Sequence, residues 1–386
     1  MSRPPADRLA LQVAAFPVVR TVINTGFRMV YPFLPTIARG LGVQVESVAL
    51  AVTARSGLGL LAPFFGTVAD TRSRRTAMLL ALCLYAAGMA LVAAWPTYAA
   101  FFAALLISAT GKILFDSAMQ AYLGDRVDYS RRGLVIAVTE FGWSGAFLIG
   151  MPVTGWLIAK AGWSAPFPWL AGLALAAALF LWRLLPHEAP AARTQRSVWQ
   201  GMRAVVSHRP ALAGLAVSLL ISAANELVNI VYGVWMEGSF GLQIAALGAA
   251  SAVIGLSELV GEGLVATLAD RLGKRSAVAI GIALSASASL ALPVLGRTLT
   301  FSLIGLFLFY VCFEFTLVTG ISLMTELVPG ARATVMAGNL SAHALGRAVG
   351  AFLGPLLFAG GIAANGAVSA SLNVAAIALL LVFVRE

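Results

Sequence analysis

Charge is what this 386-residue chain has least of: Asp, Glu, Lys and Arg together make up 11% of it, against 60% hydrophobic residues. A water-soluble fold of that length needs far more polar surface, so water is excluded as the solvent for most of the chain and lipid takes its place. Cysteine is nearly absent. Cys83 and Cys312 fall in opposite halves, which excludes a disulfide framework and a metal site built on Cys ligands. The three histidines are scattered, and no GxxxxGK[ST], HExxH or nucleophile-elbow pattern occurs. Catalytic chemistry, a bound cofactor and a metal centre are therefore not expected.

Apolar stretches long enough to span a bilayer, each of about 20 residues, recur along the whole chain. They lie near 10 to 34, 47 to 69, 76 to 95, 98 to 123, 133 to 158, 164 to 185, 211 to 235, 243 to 267, 276 to 295, 299 to 326, 333 to 358 and 362 to 384. Their continuity and their richness in Ala, Leu and Gly exclude a β-barrel, whose strands are short and alternate in polarity. The expected fold class is an all-α membrane protein with twelve transmembrane helices. The first stretch follows Arg3 and Arg8 as a signal peptide would. It runs on through Arg20, Asn24 and Arg28 to Pro35 without a small-residue cleavage site, and reads as the first helix.

Basic residues outnumber acidic ones by 26 to 16, a formal charge of +10. Their distribution excludes nucleic acid as the partner. Eighteen of the 26 lie in one set of alternating loops and the tails, three (Arg39, Lys160 and Arg297) lie in the other set, and five lie within the membrane. This is the positive-inside asymmetry, and it places both termini in the cytoplasm of a multi-pass protein of the cell (inner or plasma) membrane. The cytoplasmic linker 186–210, with Arg193, Arg196, Arg203 and Arg209, divides an N-terminal six-helix bundle, 1–185, from a C-terminal one, 211–386. Within the linker, Val198, Trp199, Met202 and Val206 recur at helical spacing, as in an amphipathic surface helix.

The halves repeat each other. GTVADTRSRR, from Gly66 to Arg75, returns as ATLADRLGKR, from Ala266 to Arg275, with Asp70 and Asp270 two hundred residues apart; Arg132 and Arg332, and Gly150 and Gly350, keep the same offset. The duplicated loop resembles the cytoplasmic signature of the major facilitator superfamily (MFS), G-x-L-A-D-R-x-G-R-K, and the twelve-helix plan extends the resemblance over the whole chain. Gly66, Asp70, Arg74 and Arg75 keep the pattern in the first copy, with Val68, Thr71 and Ser73 departing from it. Leu268, Asp270, Arg271, Gly273, Lys274 and Arg275 keep it in the second, where Ala266 replaces the first Gly. The resemblance implies an MFS fold of two pseudo-symmetric six-helix bundles and a gating role for these loops, Asp70 helping to hold the cytoplasmic side closed. An aspartate there accepts hydrogen bonds from a neighbouring helix N-terminus, and basic residues bind lipid phosphate or facing carboxylates. GWSGAFLIGMPVTG, from Gly142 to Gly155, is similar to the Gly-Pro-rich signature of drug:proton antiporters, with Met151 in place of the glycine before Pro152. The fourth helix departs further: Ile107 stands where those antiporters carry an arginine four residues before Gly111.

Ionisable residues inside the membrane are costly and mark partners or aqueous paths. Candidates are Arg20, Arg28, Arg55, Lys112, Asp116, Glu140, Glu226, Glu258, Glu262, Glu314 and Arg347. Asp116 and Glu140 each lie twelve residues from Asp128, the centre of their hairpin, and so share a depth. Lys112, one turn from Asp116, neutralises one of them, leaving a carboxylate pair able to share a proton; a structural ion cluster is the alternative. In the matching hairpin about Gly330, Glu314 and Arg347 come to similar depth and are expected to pair, with His343 one turn below Arg347. Asp116, Glu140, Glu314, Lys112 and Arg347 are thus the proton-coupling candidates. Arg20, Asn24 and Arg28 form a polar stripe on the first helix; the seventh answers with Asn225, Glu226 and Asn229, since Arg28 maps to position 228. Arg28, Asn24, Asn225, Glu226 and Asn229 are the substrate-binding candidates, whereas Arg20 reads as a structural brace.

The function expected is that of a monomeric secondary active transporter working by alternating access. Its partners are a small-molecule substrate, protons as the coupling ion and the lipid bilayer. Proton-coupled efflux of a small organic or amphipathic solute by an antiporter is the first reading. Uptake or exchange of an organic anion, a metabolite or a lysophospholipid is the alternative. A sensor that transports nothing is not expected, since such a role calls for a sizeable soluble appendage or a degraded cavity and this chain has short loops and many cavity charges.

Overall fold

A computed structural model describes residues 6–61, 73–127, 129–186, 205–328 and 332–384. Gly66 and Asp70 of the first signature and most of the linker, including Val198, Trp199 and Met202 of its amphipathic stretch, lie outside the described residues. Those described are helical, with no strand among them. Eleven helices are long and apolar enough to cross a membrane, or up to twelve if the bent pair Leu34–Leu41 and Val45–Leu61 is one span.

In chain order the helices are α1 (Ala6–Arg28), α2 (Leu34–Leu41), α3 (Val45–Gly57), α4 (Arg74–Ala94), α5 (Tyr98–Arg126), α6 (Tyr129–Gly145), α7 (Met151–Ala161), α8 (Pro166–Leu184), α9 (Arg209–Asn229), α10 (Tyr232–Phe240), α11 (Ile244–Ala250), α12 (Ala252–Leu264), α13 (Lys274–Leu295), α14 (Leu299–Leu327), α15 (Arg332–Phe358) and α16 (Gly361–Phe383). Two segments read as single helices in the sequence are interrupted at matching places. The first stops at Arg28 and resumes at Leu34, across Pro32 and with Pro35 at the new start; the seventh stops at Asn229 and resumes at Tyr232. A proline cannot donate to the helical ladder, which accounts for the first break. The break leaves Arg28 at the open carbonyl end of α1, and Asn229 holds the same place on α9.

Packing is arranged for lipid. On α8 the inward face is small or close-fitting (Leu170, Ala171, Ala174, Ala178 and Leu181 are buried), whereas Trp169, Leu173, Leu179, Phe180 and Trp182 face outward. Apolar side chains on the outside gain nothing from moving inward when the solvent is itself hydrocarbon, so close approach of small residues decides the interior. On α16 the buried face is polar. Asn365 donates to the carbonyls of Leu227 (2.7 Å) and Gly354 (2.9 Å), and Ser369 Oγ bonds Ser289 Oγ at 3.0 Å.

Two compact units result. One gathers the described residues of 1–43, 61–193 and 244–255, and the other those of 44–60, 194–243 and 256–386. Within the first, α1 packs on α6 and α7 on α11; within the second, α9 packs on α15 and α16, and α3 on α15. The repeated glycine pair serves the contact of α1 with the turn Ala146–Gly150 and the contact of α9 with α15. A β-carbon at Gly150 would stand 2.0 Å from Thr25 Oγ1, and one at Gly350 would stand 2.6 Å from Glu226 Cβ and 2.7 Å from the Ala223 carbonyl. Gly350→Val is expected to destabilise the purified protein by about 1–3 kcal/mol, because backbone cannot yield as a side chain does. Thermal unfolding in detergent reads this directly, and an unchanged midpoint would contradict the close packing.

Candidate functional site

The polar stripe of α1 is a ladder against α6. Arg20 Nη1 donates to the Thr139 carbonyl (2.8 Å) and to Glu140 Oε1 (2.7 Å), and Asn24 Nδ2 donates to the Gly142 carbonyl (3.0 Å). Arg28 Nη1 donates to the Trp143 carbonyl at 3.2 Å. Residues four apart on α1 thus meet successive positions of α6, as the helical repeat allows. The bond made by Asn24 ties it to the backbone of α6.

Arg20 also reaches α5. Its Nε stands 3.2 Å from Asp116 Oδ1, close enough for an ion pair though not aligned as a hydrogen bond, and Lys112 Nζ bonds Asp116 Oδ2 at 2.6 Å. Four of the six groups named in the sequence as brace and proton couplers, Arg20, Lys112, Asp116 and Glu140, therefore form one cluster. Arg20 is its hub, and both carboxylates pair with that guanidinium rather than with each other. Sequence reasoning supplied Lys112, Asp116 and Glu140 from hairpin depth. The position of Arg20 between the carboxylates needed the helix packing.

Arg28 ends α1 among aromatic rings. Its guanidinium carbon lies 4.2 Å from the centroid of Trp143 and 3.8 Å from that of Phe147, and the side chain is buried. Lys112 Nζ stands 5.3 Å from the same indole and 5.6 Å from Phe27, whose ring lies 6.4 Å from Trp143. Two cations thus share one indole. Phe27, Trp143 and Phe147 escaped the sequence reading, since aromatic residues in an apolar helix carry no signal of their own; Trp143 lies only three residues from Glu140. Phe147 begins its approach within a π-helical turn, Ala146–Gly150, just ahead of Pro152. Such widened turns re-aim the side chains that follow.

In the second unit, α9 and α15 are joined by polar pairs. Ser218 Oγ donates to Asn339 Oδ1 at 2.6 Å, and Ser222 Oγ meets His343 Nδ1 at 2.6 Å. Glu226 is buried; its Oε2 accepts from Asn229 Nδ2 (3.0 Å), whose Oδ1 accepts from Tyr310 Oη (2.8 Å). Asn225 is buried beside them on the chain, and Glu226 and Asn229 are brought together as expected from the sequence. The expected pair of Glu314 with Arg347 is not formed. Arg347 is half-buried and has no ion pair among the described residues, while the stem of Glu314 lies over Gly261 of α12, where a β-carbon would come within 2.7 Å of Glu314 Cβ. Equal depth on two helices does not fix the direction each side chain faces around its axis.

The duplicated loops end in duplicated bonds. Arg74 Nε pairs with Asp125 Oδ2 at 3.5 Å, and Lys274 Nζ pairs with Glu326 Oε1. Arg75 donates to the Trp182 carbonyl at the end of α8, and Arg275 Nη2 to the Leu381 carbonyl (2.8 Å) near the end of α16. In each half one basic residue is tied to a carboxylate closing the fourth helix, and the next satisfies a last-turn carbonyl of the sixth. Asp125 and Glu326 were not among the residues read from the sequence; their spacing of 201 residues, one off the repeat, is the signal that points to them. Gly273 and Ser73 start their helices by different means. Gly273 takes φ +78°, a conformation that favours glycine, whereas Ser73 has φ −64° and caps α4 with its hydroxyl, which accepts from the Thr76 amide (3.2 Å). Asp270 and Arg271 are exposed.

These features define a helical membrane protein whose polar groups are concentrated inside it, and comparison with known proteins gives the family. The profile described as Major Facilitator Superfamily matches residues 18–229 and 214–386, and the chain belongs to that superfamily. The Inner membrane transport protein YdhP of Escherichia coli K12 is 24% identical over 380 residues, covering 97% of this chain and 94% of that protein. Among solved structures, a bacterial homolog of the human lysosomal transporter Spinster, inward-facing and unoccupied, superposes with a TM-score of 0.77 at 12% identity, covering 98% of this chain and 96% of that one. The human organic anion transporter MFSD10 gives a TM-score of 0.73 at 23% identity, with 98% of this chain and all of that one covered. The chain is a multi-pass MFS transporter.

Proposed function

We propose that this transporter moves an amphipathic organic anion by alternating access, coupled to protons through the buried charges of its first unit. The observation that carries the reading is the Arg28 guanidinium stacked on Trp143 and Phe147, with Lys112 over the same indole. A guanidinium offers paired donors to a carboxylate, sulfonate or phosphate, and the rings offer a bed for the apolar body. Of the solute classes left open by the sequence, the organic anion fits this site best. A solved structural neighbour, MFSD10, is named as an organic anion transporter. Asn225, Glu226 and Asn229 are proposed as substrate contacts in the second unit, and the protein is proposed to act as a monomer of two six-helix halves, 1–185 and 211–386, joined by the linker. Flux of a panel of radiolabelled aromatic anions into proteoliposomes, with and without an imposed pH gradient, tests the reading. Accumulation that tracks the gradient supports it, and indifference to the gradient across the panel removes proton coupling.

Both termini and the loops bearing Arg74, Arg131, Arg203, Lys274 and Arg332 are assigned to the cytoplasm by charge. In a Cys83- and Cys312-free background, Arg203→Cys is expected to resist impermeant maleimide applied outside intact cells; labelling there would invert the topology. Asp70, with the basic ends of both loops, is assigned to gating. Asp70→Asn keeps the size and removes the charge, so transport should fall several-fold while the protein still folds. Normal flux would leave the loop with topology alone.

A further inference from the structure

We propose that Glu140 is the proton-carrying group and that its protonation raises the affinity of the Arg28 site for an anion, so that proton and anion travel in the same direction. The proposal rests on the anion reading given above and deepens it by assigning the carrier and the sign of coupling.

The two carboxylates of the cluster differ in their commitments. Asp116 has each oxygen against a different cation, Oδ1 against Arg20 and Oδ2 against Lys112. A proton arriving there must displace an ion pair whichever oxygen it takes. Glu140 gives one oxygen to Arg20, and the other takes no bond among the described residues. Its side chain is also the more open of the two, 36% exposed against 23%. Protonating Glu140 therefore breaks one pair at most, and Arg20 keeps Asp116 and the Thr139 carbonyl as partners. Asp116 is a positioning counter-ion, and Glu140 is the group free to exchange a proton with water.

The charged groups that face Glu140 come from the elements packed on α6. They are Arg20 and Arg28 on α1, Lys112 and Asp116 on α5, and Glu258 and Glu262 on α12, whose Gly255 closes on the Ser144 carbonyl of α6; the π-helical turn Ala146–Gly150 adds none. An anion paired with Arg28 would bring one negative charge close to Glu140. Glu140 and Trp143 are three residues apart on one helix face, roughly 5 Å along the axis, and Arg28 stacks on that indole at 4.2 Å. At a separation on the order of 10 Å and an effective permittivity of about 20, removing one negative charge strengthens anion binding roughly tenfold. Reciprocity then requires the anion to tighten proton binding at Glu140 by the same factor. The sign does not depend on the starting charge of the cluster: a neutralised carboxylate always favours a neighbouring anion and disfavours a cation. A cationic solute in the same place would exchange against protons, and an anion moves with them.

Infrared difference spectroscopy on the purified protein tests both parts, with the carboxyl carbonyl band followed as pH is lowered. The probe is 2-naphthalenesulfonate, which stays ionised throughout and has no carbonyl of its own. Expected is a protonation band that Glu140→Gln removes and Asp116→Asn retains, both variants keeping a cooperative thermal transition. The probe should move the band's midpoint up by about one pH unit, the tenfold linkage read on the proton, and Arg28→Gln should abolish that movement. A band that survives Glu140→Gln and vanishes in Asp116→Asn overturns the carrier assignment. A downward shift overturns the sign. A Glu140 band that the probe leaves in place leaves the carrier standing and removes the anion reading of the Arg28 site.

Discussion

Arg20→Ala is expected to cost the purified protein about 3 kcal/mol of stability. The guanidinium is 6% exposed and holds Asp116, Glu140 and the Thr139 carbonyl together. Its removal leaves Lys112 as the only cation bonded to Asp116 and strips Glu140 of its partner. Breaking a buried pair from one side is costly because the surviving charge keeps its desolvation without its compensation. Partial exposure of both carboxylates holds the figure at the lower end of the usual range. Arg20→Lys should recover part of the loss, since an ammonium keeps the charge but cannot bridge in the plane as the guanidinium does. Thermal unfolding in detergent decides the matter. A midpoint within a degree of wild type would show that the cluster does not brace α1 against α5 and α6.

Arg28→Gln is expected to weaken binding of organic anions by roughly 10- to 100-fold, the range of a charge-assisted bond in a poorly hydrated site. Amphipathic cations should be affected little or bind better. The contrast follows from the stacking: the rings of Trp143 and Phe147 remain as an apolar bed, and only the anion's partner is lost. A thermal-shift screen of anionic and cationic amphiphiles against wild type and variant reads the difference, because a ligand that prefers the folded state raises its apparent stability. Equal stabilisation of both proteins by the same anions would take Arg28 out of the site. Trp143→Leu should lower affinity for aromatic anions without changing the preference for negative charge, which separates the bed from the charge.

The sequence by itself determined the solvent, the fold class and the repeat. Scarcity of charge and the lengths of the apolar runs are global properties that any packing must respect, and a 200-residue offset survives because each half solves the same folding problem. Hairpin arithmetic put Asp116 and Glu140 at one depth, since rise per residue is fixed by the backbone, but the two carboxylates meet through Arg20 and not as a pair. It failed for Glu314 and Arg347, because depth is one coordinate and the direction around the helix is another. Only the tertiary structure decided that Arg20 is the hub of the charge cluster, that α1 breaks at Arg28 within the rings of Phe27, Trp143 and Phe147, and that Arg74 and Lys274 are tied to Asp125 and Glu326. Each depends on which faces of two helices meet. That is set by the fit of glycines against side chains and backbone on the neighbouring helix, and no periodicity within one segment records it.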